Sequence, residues 1–248
     1  MEKAKTNIIS AADKYFRRED TLLSELLKIV NSKRGEKYLN GKSRRALELS
    51  VSIPASIVSA PIIGVLGLMK KLEDGGTAFF VQQRLGKNSM TDSIGVVKIR
   101  CMHENSDLQG GNIDMARKLE PENDPRNTNL GKFMRKYQLE ELPQLMQVVL
   151  GQLSLIGIRA TPLYGLKYLQ ENWKPERYEK FIELYKLSGG SLVDIQTVLS
   201  SDFTKKGERA GFHSYSFYAE NANLGLDLYL LWRTFLKLGR LSAKLKRS

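Results

Sequence analysis

The run "LSVSIPASIVSAPIIGVLGLM", residues 49–69, carries no charged side chain over 21 positions. At about 1.5 Å per helical residue such a run reaches across a hydrocarbon layer of about 30 Å. Three placements are open to it: a spanning helix, a buried helix of a soluble core, or a segment that enters the bilayer and returns. Pro54 and Pro61 each remove a backbone donor and bend a helix. Such interruptions persist at membrane depth where other groups satisfy the freed carbonyls, and Ser50, Ser52, Ser56 and Ser59 are at hand. Lys42, Arg44 and Arg45 precede the run, and Lys70 and Lys71 follow it. Basic residues at both ends conflict with simple crossing under the positive-inside rule. They favour a re-entrant hairpin bent at the prolines, with both ends cytoplasmic, over a spanning helix. The serine content keeps a soluble buried helix open.

Around this run the chain is basic, with 39 Lys and Arg against 27 Asp and Glu and a formal charge of +12. That balance implies attraction to polyanions: nucleic acid, anionic lipid or a phosphate-rich small molecule. The cations are scattered among apolar runs without a helix-turn-helix or zinc-finger signature, which argues against nucleic acid. Cys101 is the only cysteine, so neither an intrachain disulfide nor a cysteine metal cluster can form. His103 and His213 suggest no histidine-based site. The N-terminus lacks the pattern of a secretory signal, so the chain is not expected to be exported. Residues 1–43 read as a helical arm and linker, with apolar residues at helical spacing over 20–30. Residues 44–248 read as one membrane-associated domain of α+β class, predominantly helical.

Downstream of the apolar run, two β-prone stretches at 78–82 and 94–99 flank a polar loop containing Gly86, Asn88 and Ser93, as in a β-hairpin. Their ends carry Arg84, Lys98 and Arg100. These three could meet at one phosphate-binding edge or be ordinary surface cations. Residues 102–119 read as a surface loop, and "DPRN" at 124–127 as a turn before a helix. The tail places Arg233, Lys237, Arg240 and Lys244 roughly opposite Leu231, Phe235, Leu238 and Leu245, with Tyr229 and Trp232 suited to an interface. This is a basic amphipathic helix able to lie on anionic lipid, or to pack on the protein's own core with its basic side outward. In "LEELPQLMQVVLGQLSLIGIR" two adjacent carboxylates, Glu140 and Glu141, stand directly before a proline and an apolar stretch. Acidic pairs at helix starts are common and favourably face the backbone dipole; chemistry needs further evidence.

That evidence lies in the order of the motifs. "FFVQQRLG" (79–86), "KIRCM" (98–102), "DPRNTNLGKFMRKYQLEELPQLMQVVLGQLSLIGIRA" (124–160) and "YAENANLGLDLYLLWRT" (218–234) follow one another as do the elements of a known family. The chain resembles the bacterial sugar transferases, the monotopic polyprenyl-phosphate phosphoglycosyl transferases, collinearly from about residue 44 to 234. The resemblance implies a re-entrant membrane helix containing Pro54 and Pro61, amphipathic interfacial helices, and residence on the cytoplasmic face of the inner membrane. It implies transfer of a phosphosugar from a nucleotide diphospho-sugar to a polyprenyl phosphate, initiating glycan assembly. It also implies that Glu140 matches the carboxylate nucleophile and Glu141 its partner. Both would bind Mg2+, and Arg84, Lys98, Arg100, Arg135 and Arg159 would hold phosphate oxygens. Membrane lipid would be a further partner, and a homo-oligomer is compatible with this reading.

The sequence also departs from the pattern. Glu140 replaces an aspartate, Gln138 a serine, Gln152 an aspartate, Ile158 and Ala160 two prolines, and Ala60 the serine before Pro61. "KLSGGSLVDIQ" (186–196) stands where a "PGxTG" element is expected. The alternative expectation is therefore a weakly active or inactive membrane-bound relative that binds polyprenyl phosphate, nucleotide sugar or a partner enzyme. Retention of the cations and of Glu141 favours the active reading.

Overall fold

The computed structural model describes residues 35–85, 93–104, 106, 124–199 and 208–245. The arm over residues 20–30, most of the 102–119 segment and the tip of the first hairpin lie outside the described residues.

The charge-free run forms the middle of one continuous helix. After a short helix α1 (Gly35–Leu39), α2 (Lys42–Asp74) passes through both prolines and ends at Gly75 in the left-handed conformation, φ 72°. Among the described residues it is the helix long and apolar enough to cross a membrane. The protein-facing stripe of α2 is mostly polar: Arg44, Glu48, Ser52, Ser56, Ser59 and Lys70, with Leu66 and Gly67. Its outward face carries Ile53, Val65, Leu68, Met69 and Leu72, with Ile57 and Val58 69% and 68% exposed. A helix of a water-soluble domain shows the opposite arrangement, with its apolar stripe inward. The serines do not serve the prolines as expected. Pro54 and Pro61 free the carbonyls of Ser50 and Ile57, whereas Ser50 and Ser59 donate to Leu47 O and Ser56 O.

Both ends of α2 are bonded to one body. At the start, Arg44 donates to the carbonyls of Leu39, Ile156 and Ser188, and Arg45 to those of Val148 and Val149. Two of the basic flanking residues are thus structural anchors, while Lys42 and Lys71 remain exposed. At the far end, buried Lys70 reaches Glu73, Asp74 and Thr128.

The expected hairpin forms as β1 (Phe79–Leu85) and β2 (Ser93–Ile99), antiparallel, with Phe80 opposite Lys98 and Arg84 opposite Ile94. Side chains alternate along a strand, so Arg84 and Lys98 share a face. Helix α3 (Asn129–Tyr137) starts at Thr128, whose hydroxyl accepts from Gly131 N. Glu73 accepts from Leu130 N, so the end of α2 supplies an anion to the positive N-terminus of α3. Gly131 is required here: a Cβ at this position would stand 1.8 Å from the Cys101 carbonyl oxygen.

A single 3₁₀ turn, Leu139–Glu141, leads into α4 (Gln144–Val149), which docks on β2 through Gln147. The Gln147 side chain donates to Gly95 O and accepts from Val97 N, completing a strand edge with a side-chain amide. Then β3 (Ser154–Arg159), α5 (Leu163–Asn172), α6 (Pro175–Ser188) and β4 (Gly190–Asp194) form a crossover unit. Its two strands pair in parallel, as a helical crossover permits. The chain closes with α7 (Ile195–Leu199), α8 (Glu208–Asn221) and α9 (Leu224–Leu245).

The main core gathers Leu39, Val96, Val148, Ile156, Ile195, Tyr218 and Leu230. Asp227 of α9 is buried there and accepts from Tyr38 and Tyr218, both at 2.7 Å. The tail is helical as expected. Leu226 and Leu230 face the core, Leu231 packs beside it, and Leu224, Leu228, Trp232 and Phe235 form the exposed apolar face. The side chains of Lys237, Leu238, Arg240, Lys244 and Leu245 lie outside the described residues.

Candidate active site

The acidic pair is presented by a sharp reversal of the chain. Helix α3 ends at Gln138, φ 58°, the non-glycine residue with positive φ among the described residues. Non-glycine residues in this conformation carry a cost of roughly 1 kcal/mol or more and cluster at functional sites. The reversal lets the next three residues turn as the 3₁₀ helix, whose two glutamates point back toward the β1–β2 face and the end of β3.

Glu141 is the ion-paired member. Its Oε1 accepts from Lys98 Nζ at 2.6 Å and from Arg159 Nη2 at 3.1 Å. Burial alone would raise its carboxyl, but Arg159 and Lys98 outweigh burial and hold it below the usual glutamate range. Lys98 is itself lowered by burial, an effect that Glu141 partly offsets. Arg84 completes the group from behind. It is buried, donates to Ala160 O and Gln82 Oε1, and its charge bears on both Arg159 and Glu141.

Glu140 is in the opposite state. Its Oε2 is buried without a hydrogen-bond partner. Burial pushes its carboxyl above the usual range and the Glu141 charge adds to that, while a hydrogen bond from its own backbone N–H and the charges of Lys98 and Arg135 offset only part. Arg135, in the last turn of α3, also acts on the buried Cys101 thiol, which burial raises to about 11. Two adjacent carboxylates are thus driven apart: one a fixed, paired anion, the other unpaired and more basic. Such splitting is a frequent mark of acid, base or nucleophile assignments.

Of the cations expected to hold phosphate, Arg84, Lys98 and Arg159 gather on Glu141, and Arg135 stands by Glu140. Arg100 is placed apart from them. Its guanidinium grips Asp74, with Nη1 at 2.8 Å from Oδ2 and Nη2 at 2.5 Å from Oδ1, and donates further to Thr77 O and Met102 O. It lies past the end of β2 and fastens the end of α2. Sequence reasoning did not single out Asp74, nor Gln144 and Gln147, which face inward from α4. Apolar neighbours hide the two glutamines in a linear reading, although a glutamine in an apolar helix is a signal that something polar awaits it.

Among the described residues no group of three or more His, Cys, Asp or Glu side chains is placed to hold a metal. Mg2+ needs less than that: it is commonly bound by one or two carboxylates together with substrate phosphate oxygens. The orphaned Glu140 oxygen beside Glu141 fits that donor set. A cleft of about 270 Å³ opens elsewhere, at the start of α2 between Asn40, Arg45, Glu48 and Gln152. None of the carboxylate pair or its cations lines it, so the chemistry is assigned to the carboxylates.

The sequence pattern described as bacterial sugar transferase matches residues 39–240. The exopolysaccharide production protein ExoY of Sinorhizobium fredii is 30% identical over 208 residues, 79% of this chain and 85% of that protein. An uncharacterized sugar transferase of Haemophilus influenzae is 30% identical over 203 residues, 77% of this chain and 40% of that protein. The undecaprenyl-phosphate galactose phosphotransferase of Salmonella typhimurium is 30% identical over 220 residues, 84% of this chain and 42% of that protein. The chain therefore spans less than half the length of some relatives and most of the length of others.

Proposed function

The chain belongs to the bacterial sugar transferase family, and on that premise we propose that it moves a phosphosugar from a nucleotide diphospho-sugar to a polyprenyl phosphate at the cytoplasmic membrane surface. The observation that carries the proposal is the division of labour between Glu140 and Glu141. Glu140 is the nucleophile. Its unpaired, more basic carboxylate attacks the sugar-linked phosphorus, the bridging P–O bond of the diphosphate breaks, and the nucleoside monophosphate leaves with the bridging oxygen. An oxygen of the polyprenyl phosphate then attacks the same phosphorus, forming the lipid diphospho-sugar and returning Glu140 as a carboxylate. Dividing one difficult transfer into two easier ones is the usual gain of covalent catalysis.

Glu141 does not attack, because Lys98 and Arg159 hold its Oε1 and keep the group as a fixed anion, which leaves Oε2 for the metal. It keeps those two cations in place for the diphosphate oxygens, with Arg84 behind them. Guanidinium groups suit that task through their planar donors. Glu140 and Glu141, with diphosphate oxygens, would hold Mg2+, which supplies charge neutralisation when one anion approaches another.

The membrane placement is supported by the inverted polarity of α2 and by its two anchored ends. Were α2 to cross the bilayer, the 3₁₀ turn between the elements bound to its two ends would bring Glu140 and Glu141 to membrane depth. Ionised groups there are costly. A helix that dips into the cytoplasmic leaflet at the Pro54–Pro61 region and returns avoids this. It keeps the carboxylates at the headgroup level, where a water-soluble donor and a lipid acceptor can both reach them.

The test is incubation of detergent-purified protein with a panel of nucleotide diphospho-sugars and Mg2+. Nucleoside monophosphate release and a phosphosugar adduct seen by intact mass, lost in Glu140→Gln and on chelation of Mg2+, are expected. Silence across the panel overturns the proposal in favour of a binding relative without activity.

A further inference from the structure

Arg84 differs from the other two cations gathered at Glu141. Lys98 and Arg159 are both ion-paired with that carboxylate. Arg84 is 7% exposed, yet among the described residues no carboxylate is paired with it. Neutral oxygens hold it instead. Gln82 Oε1 accepts from Arg84 Nε at 3.1 Å and from Nη2 at 2.7 Å, and the Ala160 carbonyl accepts from Nη1. Two N–H donors converge on one atom of the Gln82 amide, which makes that atom the oxygen. One N–H on each terminal nitrogen of Arg84 is left over.

Both acceptors are fixed in place. Gln82 lies opposite Val96, between the Phe80–Lys98 and Arg84–Ile94 pairs of the hairpin. Alternation therefore sets it between Arg84 and Lys98, on the face from which Lys98 reaches Glu141. Beside Ala160, the Tyr185 hydroxyl donates to Leu85 O at 2.9 Å and accepts from Thr161 N at 3.4 Å, and Leu85 N donates to Thr161 O. A buried charge is ordinarily paired with its opposite. Holding this one with neutral dipoles leaves a positive charge that no protein anion cancels.

We propose that Gln82 is a positioning residue that keeps Arg84 available, as an uncancelled cation, for the diphosphate of the donor. This rests on the transfer reaction proposed above and adds how one of its phosphate-binding residues is kept from pairing within the protein. The amide is what matters at this position. A glutamate has the same length and would take the same two hydrogen bonds, but its charge would neutralise Arg84 as Glu141 neutralises Lys98 and Arg159. With no acceptor at residue 82, the guanidinium is free to turn toward Glu141, whose charge already bears on it.

The test is calorimetric titration of the detergent-purified full chain with inorganic pyrophosphate and Mg2+, with melting temperatures recorded alongside. Gln82→Glu is expected to keep or raise the melting temperature, because a buried cation gains an anion, and to weaken pyrophosphate about tenfold. A merely structural residue would move both readouts the same way. Gln83→Glu places the same charge at an exposed position on the other face of β1, and is expected to leave affinity unchanged. Gln82→Met, which keeps the length without the acceptor, is expected to weaken pyrophosphate about fivefold. Combined with Arg84→Met it should lose far less than the product of the two single losses, whereas with Lys98→Met the losses should multiply. Parent-like affinity in Gln82→Glu overturns the proposal, and so does an equal loss in Gln83→Glu, which would be an effect of net charge. Coupling to Lys98 as strong as that to Arg84 overturns it in favour of hairpin packing. Absence of pyrophosphate binding by the unsubstituted chain overturns it outright. These readouts need no turnover, so failure of the transfer reaction is seen separately, as absence of nucleoside monophosphate release.

Discussion

Lys98 Nζ stands 2.6 Å from Glu141 Oε1, across from the strand residue Phe80 and 43 positions away in sequence. This pair fixes which of two adjacent glutamates is spent on structure and which is left for chemistry. Lys98→Met is expected to lower nucleoside monophosphate release by about a hundredfold, the scale of losing one donor aimed at developing charge. Lys98→Arg should recover only part, since a planar fork cannot occupy the place of a compact ammonium. A single-turnover assay with saturating donor separates this from weaker donor binding.

Glu140 titrates above the ordinary glutamate value of 4.5 because it is buried beside another carboxylate. Only its ionised form attacks, so the acid limb of the rate profile is expected above that value. Stability follows the opposite sign. The folded state holds this proton more tightly than the unfolded chain, so the stabilising contribution is full at low pH and is lost as pH rises through the raised pKa. Glu140→Gln is therefore expected to match the parent's melting temperature near pH 4. By pH 8 it should exceed the parent, each kcal/mol giving about 2–4 °C. Melting curves in one detergent at both pH values check this.

The Glu140→Asp variant tests how closely the site is fitted to the longer side chain. Shortening it withdraws the carboxylate by about one bond length, and misplacement of about an ångström can cost a hundredfold. Adduct formation is expected to slow by that order. A faster aspartate enzyme would mean that the phosphorus is held where an aspartate reaches.

The Arg100 and Asp74 pair is well shielded and fastens the end of α2 to the strand end. Asp74→Asn removes the anion shared by Arg100 and Lys70 and is expected to cost about 2 kcal/mol, in the range for hydrogen bonds to charged groups. Denaturation monitored by tryptophan fluorescence measures it. As the pH is lowered the same loss appears in the unsubstituted protein. The Arg100 hydrogen bonds hold the Asp74 carboxyl well below its ordinary range, and stability falls as pH drops through that lowered value.

For topology, Lys42→Cys and Lys71→Cys in a Cys101→Ser background place one exposed thiol at each end of α2. Labelling of sealed inverted vesicles with an impermeant reagent is expected to modify both. Modification of only one, with the other reached after permeabilisation, would establish a crossing helix and end the re-entrant reading.

Much of the architecture was legible from local pattern. The 49–69 run announced a long apolar helix, two β-prone runs around a polar loop announced β1 and β2, and helical spacing announced α9. The "LEELPQ" stretch announced the carboxylates. Limits were less legible: the 49–69 run lies well inside α2 (Lys42–Asp74), whose charged ends are held by groups distant in the chain.

The amino-acid sequence by itself determined the apolar helix, the basic balance, the hairpin and the collinear motifs, because periodicity and motif order are properties of neighbouring residues. Only the tertiary structure decided that Arg100 belongs to Asp74 and that Arg44 and Arg45 bind backbone carbonyls. It alone paired β3 with β4 and split two adjacent glutamates into a paired anion and an unpaired one. Each of these depends on groups brought together from distant parts of the chain. Burial and charge at an atom are set by what surrounds it in space, which the spacing of letters does not encode.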